Sequence, residues 1–263
     1  MKLGFIGGGA LAEAVIKGIA DQIVAAEDIF VSDIRSERVE ELNARYHVNA
    51  SVDKAVFLDK IDTLLIAVKP KDAQNALKEL GAKLDPNVLV ISVVAGLRLE
   101  VLEKFLPSNP IIRVMPNVAI SVGESMTALA RGTRVDDNQL ESIEEFFSAL
   151  GRCTIVDERL MDAVTGLSGS GPAFAFLMID ALSDGGVAAG LPRGAAIELA
   201  AQTLLGAAKM VLGGEHPDVL RDRVTSPAGT TIEGVRVLER SGVRSALIEA
   251  VIAASEKSKS LGH

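Results

Sequence analysis

The chain has 263 residues, of which 48% are apolar, enough for a substantial core in one large domain or two smaller ones. Its formal net charge of -8 argues against nucleic-acid binding, because no basic surface is available to displace counterions from phosphate. The single cysteine, Cys153, excludes an internal disulfide framework. The histidines His47, His216 and His263 lack the spacing of a metal site, so no metal is expected.

The N-terminus runs from Met1 and Lys2 directly into a short apolar run and a glycine turn, without the features of a signal peptide. No stretch of membrane-spanning length is free of charged residues. These features predict a cytoplasmic protein with neither a membrane partner nor a nucleic-acid partner.

Residues 1–156 alternate short β-branched runs with amphipathic segments, the pattern of βαβ units on a parallel sheet. The predicted strands are Lys2–Ile6, Ile29–Ser32, Thr63–Val68, Val88–Val93, Ile111–Met115, Met126–Ala130 and Cys153–Val156. The predicted helices are Leu11–Ala20, Arg38–Arg45, Asp72–Leu80, Leu99–Phe105 and Asn138–Leu150. Ser36 is the expected N-cap of the second helix, and Asp137 or Asn138 that of the last. We interpret residues 1–156 as a Rossmann-type dinucleotide-binding domain in an α/β fold.

After residue 156 the strand pattern ends, and residues 157–263 are predicted to form an all-α domain. Its predicted helices are Arg159–Thr165, Ala173–Ala189, Gly194–Leu212, Val219–Val224, Ile232–Arg240 and Val243–Leu261. The helix Ala173–Ala189 is apolar on nearly every face and must therefore be buried on all sides. Because a helical domain of this size has few layers to cover it, we expect a second subunit to do so, in a homodimer or a ring of dimers.

The N-terminal segment Lys2–Glu13 reads as a strand, a Gly-x-Gly-x-x-Ala turn and a helix. Gly7 permits the tight turn, Gly9 lets the backbone approach a pyrophosphate, and Ala12 replaces the third glycine. The N–H groups at the helix start would face the phosphates. Gly7, Gly9 and the N–H groups of the helix start are thus expected to bind the dinucleotide. A strand-to-helix turn without a ligand is the alternative, which the N-terminal position ahead of several further βα units disfavours.

The second strand runs into residues that bear on the choice of nucleotide. Asp33 would accept a hydrogen bond from the 2'-hydroxyl of NAD, whereas Arg35 with Ser32 and Ser36 would hold the 2'-phosphate of NADP. The two signals conflict, and Asp33 and Arg35 are equally well explained as exposed loop residues. NADPH is the expected cofactor, with NADH as the alternative.

Two further turns follow strands at the edge of the sheet where open α/β folds bind ligands. The first contains the expected cofactor contacts Ala67, Val68, Lys69 and Pro70. At the second, Asn117 would orient the cofactor or the substrate. The alternatives are that Pro70 only begins a helix beside a solvated Lys69, and that Asn117 only forms a turn.

In the helical part, Ser168–Pro172 precedes the apolar helix, with Pro172 suited to its first turn and a Ser-Gly run that exposes backbone donors. A flexible helix entry explains this segment equally. The following helix lacks the lysine that β-hydroxyacid dehydrogenases of similar layout use as acid and base. A carbonyl-reducing enzyme needs such a proton donor, whereas an imine can arrive already protonated and accept hydride directly.

A second small-residue loop, Val224–Glu233, also leads into a helix. Successive N–H groups at Thr230 and Thr231, strengthened by the helix dipole, would form a seat for a carboxylate. The hydroxyls of Ser226, Thr230 or Thr231 would meet a polar ring atom beside it. Simple N-capping by Thr230 explains the same residues equally well.

Taken in order, these motifs resemble the pyrroline-5-carboxylate reductase family over nearly the whole length of the chain. The most specific segments are DAVTGLSGSGPA at 162–173, AKMVL at 208–212, EHP at 215–217, VTSPAGTTIE at 224–233 and VLE at 237–239. The resemblance implies a Rossmann domain, a helical dimerisation domain and an active site at the dimer interface. It implies hydride transfer from NAD(P)H to the C5 imine of 1-pyrroline-5-carboxylate, which gives L-proline.

The resemblance also implies roles for single residues. Gly7, Gly8, Ala10 and Leu11 would lie at the pyrophosphate of the cofactor, and Ala67, Lys69 and Pro70 would border the cofactor. Ser226, Gly229, Thr230 and Thr231 would bind the substrate, with the backbone N–H groups of the two threonines on its carboxylate. The Thr231 hydroxyl would face the ring nitrogen, which makes Thr231 the expected catalytic residue. Two positions depart from the family pattern: Ala228 stands where a second glycine is usual, and Val118-Ala119 stand where Thr-Pro is usual. If position 228 needs a positive φ, alanine is strained there.

Two other functions remain open at this point. An enzyme of the same layout would reduce a different cyclic imino acid. A nucleotide-binding sensor or scaffold would keep the glycine turn and catalyse nothing.

Overall fold

The computed structural model describes residues 1–81 and 83–261, so His263 lies outside the described residues. The strands are β1 Leu3–Ile6, β2 Ile29–Ser32, β3 Asn49–Ser51, β4 Thr63–Ile66, β5 Leu89–Ser92, β6 Ile111–Met115, β7 Ser125–Arg131 and β8 Gly151–Ile155. They form one eight-stranded sheet with the order β3-β2-β1-β4-β5-β6-β7-β8. The first six strands follow the order of doubly wound dinucleotide-binding folds, in which ligands bind where the strand order reverses, here between β1 and β4. The predicted Rossmann-type fold is confirmed.

The helices are α1 Ala10–Ile19, α2 Ser36–Tyr46, α3 Pro70–Gly81, α4 Leu99–Phe105, α5 Asp137–Ser148, α6 Met161–Val164, α7 Gly171–Ala188, α8 Arg193–Leu212, α9 Pro217–Arg223, α10 Thr230–Arg240 and α11 Val243–Leu261. Short 3-10 turns lie at Ala26–Asp28, Lys54–Val56, Val118–Val122 and Glu158–Leu160, and a π-helical turn lies at Thr165–Gly169. The elements of residues 157–261 are all helical, as predicted.

The sheet is covered on both faces, which is why β1, β4 and β5 are buried along their whole length. Successive strand residues point to opposite faces, so Phe5 packs in one apolar cluster and Ile6 in the other. The first cluster includes the buried face of α1, with Val15 and Ile16. The second includes the buried face of α3, with Leu77. This packing fixes the carboxyl ends of β1 and β4 side by side.

Two features of the sheet differ from the prediction. Strand β3 was not predicted, because its three residues, Asn49–Ser51, are polar or small and pair only with β2 at the edge. Strand β7 runs antiparallel to β6, although the pattern predicted a parallel sheet. The connection at residues 116–124 holds only a short 3-10 turn, and this is too short for the crossover that a parallel pair requires.

Both predicted N-caps are wrong by one residue or more. Arg35 is the N-cap of α2, and Ser36 is already helical. Asp136 is the N-cap of α5, where its side chain accepts from the Gln139 N–H at 2.8 Å. The Gln139 side chain in turn accepts from the Asp136 N–H at 3.1 Å, which completes a capping box.

Contacts divide the described residues into two compact units: residues 1–170 together with residues 253–261, and Gly171–Ile252. The domain boundary predicted after residue 156 lies before the division at residue 170, at the point where the strands end. It stays a prediction. Within the second unit, α7 and α8 pack closely, because a Cβ added at Gly186 would lie only 3.2 Å from Ala196 Cβ.

Apolar side chains of the second unit are widely exposed in the single chain. Ser183 is the one buried residue of α7, whereas Phe176 is 62% and Leu177 is 70% exposed. No residue of α10 is buried. In the described part of the chain, α8 alone is long and apolar enough to cross a membrane by length and composition, although it contains charged side chains such as Glu198. A large exposed apolar surface of this kind marks an interaction surface.

Candidate functional site

The glycine turn after β1 requires glycine at its first position. Gly7 has φ 98°, in the region that L side chains rarely adopt. A Cβ at Gly7 would lie 2.7 Å from the Ala67 carbonyl oxygen, and the Gly7 N–H donates to the Ser32 carbonyl oxygen at 2.8 Å. The turn therefore contacts the ends of both neighbouring strands, β2 and β4.

The next residue, Gly8, is held by a side chain on each side. Its N–H donates to Asp33 Oδ2 at 2.9 Å, and its carbonyl oxygen accepts from Arg38 Nε at 2.5 Å. A Cβ at Gly8 would lie 2.8 Å from Leu42 Cδ1. These contacts fix the peptide groups on both sides of Gly8 and thereby the direction of the turn.

Arg38 belongs to a network of charged groups that joins α1 to α2. Arg38 Nη2 donates to Glu13 Oε2 at 2.6 Å, and Glu13 Oε1 accepts from Arg45 at 2.5 Å and from the Tyr46 hydroxyl at 2.9 Å. The hydrogen bond from Arg38 is the main reason why the pKa of Glu13 is lowered. Burial acts to raise this pKa, but the bonds from Arg38, Tyr46 and Arg45 together outweigh it. Sequence reasoning missed this network, because no local pattern links residues so far apart.

Gly9 is the N-cap of α1, and no side chain caps this helix. A Cβ built at Gly9 meets no atom of the described residues within 4 Å, so open space lies beside the helix start. The first N–H groups of α1, at Ala10 and Leu11, are thus free of side-chain partners and carry the positive end of the helix dipole. Two glycines without room for a Cβ and an uncapped helix start fit the pyrophosphate of a dinucleotide.

Asp33 and Arg35, the two residues that gave conflicting signals, contact each other. Asp33 is 8% exposed, and it accepts from the Arg35 N–H at 3.0 Å and from Arg35 Nε at 3.0 Å and Nη2 at 3.2 Å. Burial acts to raise the pKa of Asp33, but hydrogen bonds from the Arg35 guanidinium and from the two backbone N–H groups outweigh it and lower the pKa. The Arg35 side chain is 59% exposed, whereas Ser32 is buried at the end of β2.

The turn after β4 lies against the glycine turn. The Ala67 N–H donates to the Ile6 carbonyl oxygen at 2.8 Å, which ties the two strand ends together. The Lys69 carbonyl oxygen accepts from the N–H of Asp72 at 2.9 Å, and Pro70 is the first residue of α3. Ala67 and Val68 are half-buried, whereas Lys69 and Pro70 are exposed. The structure thus brings Ala67 and Val68 beside Gly7, while ligand contacts of this turn stay a prediction.

Asn117 has a structural part in the fold. Its Oδ1 accepts from the Ala119 N–H at 3.1 Å, and its Nδ2 donates to the Ser168 carbonyl oxygen at 3.1 Å. The Ser168 hydroxyl donates to the Met126 carbonyl oxygen at 3.2 Å. Asn117 therefore caps the 3-10 turn that follows it and holds the π-helical turn, and its contact with a ligand stays a prediction.

The loop before α10 is a tight turn. The Gly229 N–H donates to the Ser226 carbonyl oxygen at 3.1 Å, with Pro227 and Ala228 between them. Ala228 has φ 56°, and proline followed by a residue with positive φ is the signature of a type II turn. Position 228 therefore has the positive φ at which alanine is strained.

Gly229 is the N-cap of α10, and no side chain makes a cap hydrogen bond there. Thr230 is the first helical residue, so the alternative of N-capping by Thr230 is wrong. A Cβ at Gly229 would clash with the Ser226 hydroxyl. Within the described part of the chain, no hydrogen-bond partner is found for the hydroxyls of Ser226, Thr230 and Thr231. The Ser226 hydroxyl lies beside the N-cap Gly229, and the two threonines are the first two residues of the helix. An uncapped helix start with hydroxyls around it can hold an anion.

The free thiol of Cys153 lies in surroundings that favour its neutral form. Burial raises its pKa to about 11, the charge of Glu144 adds to the effect, and a hydrogen bond from the Thr154 backbone opposes it. The thiolate that a nucleophilic cysteine requires is therefore scarce at neutral pH.

The chain is similar to known proteins over nearly its whole length. The family described as Pyrroline-5-carboxylate reductase dimerisation matches residues 158–261. Pyrroline-5-carboxylate reductase of Methanosarcina acetivorans is 46% identical over 99% of this chain and 98% of that protein. The enzyme of the same name from Synechocystis sp. is 47% identical over 100% of this chain and 98% of that protein.

The chain belongs to the pyrroline-5-carboxylate reductase family.

Solved structures agree with this membership. Pyrroline-5-carboxylate reductase of Coxiella burnetii has a TM-score of 0.91 at 32% identity, over 100% of this chain and 98% of that one. Pyrroline carboxylate reductase of Plasmodium falciparum, solved with NADP bound, has a TM-score of 0.90 at 31% identity, with the same coverage. A second family, described as NADP oxidoreductase coenzyme F420-dependent, matches residues 2–96, which span the glycine turn. Members of the pyrroline-5-carboxylate reductase family carry a dimerisation domain, and the chain forms a homo-oligomer.

Proposed function

We propose that the chain reduces the C5=N bond of 1-pyrroline-5-carboxylate to give L-proline, with NADPH as the preferred reductant and NADH as the alternative. The observation that carries the proposal is the uncapped start of α10, where two backbone N–H groups and free hydroxyls offer a site for a small carboxylate. Family membership over nearly the full length supports the substrate.

The cofactor is proposed to lie along the glycine turn. Its pyrophosphate would be held by the backbone of Gly7, Gly8 and Gly9 and by the N–H groups of Ala10 and Leu11. Gly7 and Gly8 have no room for a Cβ, so the turn keeps a backbone surface that the pyrophosphate can approach. Residues 67–70 would border the nicotinamide. Arg35 and Ser32 would lie beside the adenosine ribose. The bound nicotinamide supplies the hydride.

The substrate is proposed to bind at the start of α10. Backbone N–H groups of Thr230 and Thr231 would hold its carboxylate, and Gly229 keeps Ser226 close to them because it has no Cβ. The Thr231 hydroxyl would face the ring nitrogen and orient the imine. A protonated imine needs no further acid to accept hydride, which agrees with the lack of a lysine in α7.

The homo-oligomer is proposed to be a dimer, or a ring of dimers, formed through the helical unit. Phe176 and Leu177 of α7 would be buried by the partner, since such exposed apolar side chains are costly in water. Light scattering at micromolar concentration is expected to detect no stable monomer. We further propose that the enzyme acts in the cytoplasm.

The test of the proposed function is a substrate screen that follows NADPH oxidation. We expect the highest kcat/KM with 1-pyrroline-5-carboxylate among cyclic imino acids and 2-oxo acids. A clear preference for another cyclic imino acid would assign the chain a different substrate, and a preference for a 2-oxo acid would contradict the imine chemistry. Binding of NADPH without turnover of any imine would favour a sensor or scaffold.

A further inference from the structure

The carboxylate of Asp33 is fully engaged by groups of the protein. Oδ2 accepts from the Gly8 N–H and from Arg35 Nη2, and Oδ1 accepts from the backbone N–H and the Nε of Arg35. Two of these four donors are backbone groups and two belong to one guanidinium. With its side chain 8% exposed, Asp33 is poorly placed to read a ribose hydroxyl, the usual part of an acidic residue at this position.

The Arg35 guanidinium is held differently from that of Arg38. Arg38 is 11% exposed and is committed to Gly8, Glu13 and Glu41. Arg35 is 59% exposed, and Asp33 is the one ion-pair partner that it has among the described residues. The pKa of Arg35 is raised by its bonds to Asp33, while the nearby charge of Arg38 opposes this. Arg35 is thus the cation of this loop that can move to an incoming anion at low cost.

Moving the Arg35 side chain would leave Asp33 with two hydrogen bonds, from the backbone N–H groups of Gly8 and Arg35. A carboxylate that accepts backbone bonds remains ionised and in place. The bond from Gly8 would therefore keep the glycine turn in its geometry whether Arg35 is docked or released.

We propose that Asp33 is a positioning residue of the phosphate-binding turn and an internal competitor for Arg35, so that the 2'-phosphate of NADPH binds by taking the Arg35 guanidinium from Asp33. A phosphate group, like a carboxylate, can bind arginine in bidentate fashion, and its charge of about -1.5 to -2 at neutral pH exceeds that of the Asp33 carboxylate, so the exchange favours the nucleotide. NADH, which lacks this phosphate, binds with Arg35 still docked on Asp33. The inference rests on the proposed use of NADPH and explains how one loop carries signals for both nucleotides.

The competition predicts opposite effects for two substitutions. Asp33→Asn keeps an oxygen that accepts from the Gly8 N–H but weakens the hold on Arg35, so affinity for adenosine 2',5'-bisphosphate rises by roughly threefold. Arg35→Ala removes the phosphate ligand, so affinity for the bisphosphate falls by roughly tenfold or more. Both changes are expected to affect 5'-AMP, which has no 2'-phosphate, much less than the bisphosphate.

Isothermal titration calorimetry of the full-length protein with adenosine 2',5'-bisphosphate and with 5'-AMP measures these effects. Arg45→Ala is the matched control, because Arg45 is similarly exposed but contacts Glu13 and Glu41 rather than Asp33. It is expected to leave both affinities unchanged. In the Arg35→Ala background, Asp33→Asn is expected to lose its benefit to bisphosphate binding, since no guanidinium remains to be released.

The positioning role has its own readout. Asp33→Ala removes the acceptor of the Gly8 N–H and is expected to lower both the melting temperature and the affinity for 5'-AMP, whereas Asp33→Asn rescues both. Selective loss of 5'-AMP binding in Asp33→Asn would contradict the proposal, because it would show that Asp33 reads the ribose hydroxyl. Unchanged or weaker bisphosphate binding in that variant would contradict the competition. If Asp33→Asn fails to fold, bisphosphate binding by Arg35→Ala decides whether Arg35 is the phosphate ligand. These titrations contain no imine, so they stand apart from any failure of the proposed reaction.

Discussion

The Gly229 N–H donates to the Ser226 carbonyl oxygen at 3.1 Å, and this bond closes a turn in which Ala228 has φ 56°. The turn leads directly into the uncapped start of α10. The loop proposed to bind the substrate therefore contains a residue in a conformation that costs alanine free energy.

Ala228→Gly is expected to raise the free energy of unfolding by about 0.5–1 kcal/mol, because relief of the left-handed strain exceeds the entropy that glycine adds to the unfolded chain. Thermal unfolding at fixed protein concentration measures the change. Ala44→Gly is the matched control, since Ala44 is exposed within α2, and it is expected to cost about 1 kcal/mol. A loss of stability at both positions would show that Ala228 is not strained.

Gly7→Ala and Gly9→Ala separate folding from nucleotide binding. A Cβ at Gly7 approaches the Ala67 carbonyl oxygen and φ is 98°, so Gly7→Ala is expected to lower stability by about 1–3 kcal/mol and to weaken NADPH binding. A Cβ at Gly9 meets no described atom, so Gly9→Ala is expected to keep the melting temperature and weaken NADPH binding alone. Unchanged NADPH affinity in Gly9→Ala would contradict the assignment of the pyrophosphate to this turn.

Thr231→Ala is expected to lower kcat/KM for the imine by roughly 10- to 100-fold, the range of a lost hydrogen bond to a charged group. The Kd for NADPH is expected to stay unchanged, because the hydroxyl is proposed to touch only the substrate. Thr231→Ser should restore most of the activity. Thr133→Ala, which removes a hydroxyl bonded to Glu103, serves as the control without effect. Equal activity of Thr231→Ala and the wild type would remove Thr231 from the reaction.

Glu13 is expected to make the stability depend on acid pH. Its pKa is lowered in the folded state, chiefly by Arg38, so the unfolded chain binds the proton first as the pH falls. Ionised Glu13 therefore stabilises the fold above its unfolded-state pKa of about 4.3, and the contribution is lost as the pH falls through the lower, folded-state pKa.

Urea unfolding across the acid range measures this effect. Glu13→Gln is expected to be less stable than the wild type at neutral pH and to lose less stability on acidification. Glu40→Gln is the control, because Glu40 is exposed and has no ion pair among the described residues. The same acid slope in Glu13→Gln and the wild type would contradict the role of the network.

The elements that bury apolar side chains could be predicted from the sequence, because burial leaves a periodic pattern. β1, β4 and β5 are short, mostly apolar runs, and the glycine turn follows the first of them. The small residues of the loop before α10 marked it as a candidate site. The resemblance to a family with glycine at position 228 raised the question of strain at Ala228. These features are local, so neighbouring residues are enough to reveal them.

The contacts of the site depend on tertiary structure, and the sequence did not reveal them. Asp33 and Gly8 are 25 residues apart, and no local pattern indicates that the carboxylate accepts from the glycine N–H. For that reason Asp33 and Arg35 gave conflicting signals in the sequence, whereas in the structure they form one ion pair. Strand β7 was predicted at Met126–Ala130, but its antiparallel direction was not, because an apolar strand has the same pattern in either direction.

The most direct test of the central claim follows the hydride itself. The purified enzyme is incubated with 1-pyrroline-5-carboxylate and NADPH deuterated at both C4 positions of the nicotinamide, and the product is analysed by mass spectrometry and NMR. We predict L-proline that carries one deuterium, located at C5. Turnover that yields no proline, or proline without deuterium at C5, would contradict the account.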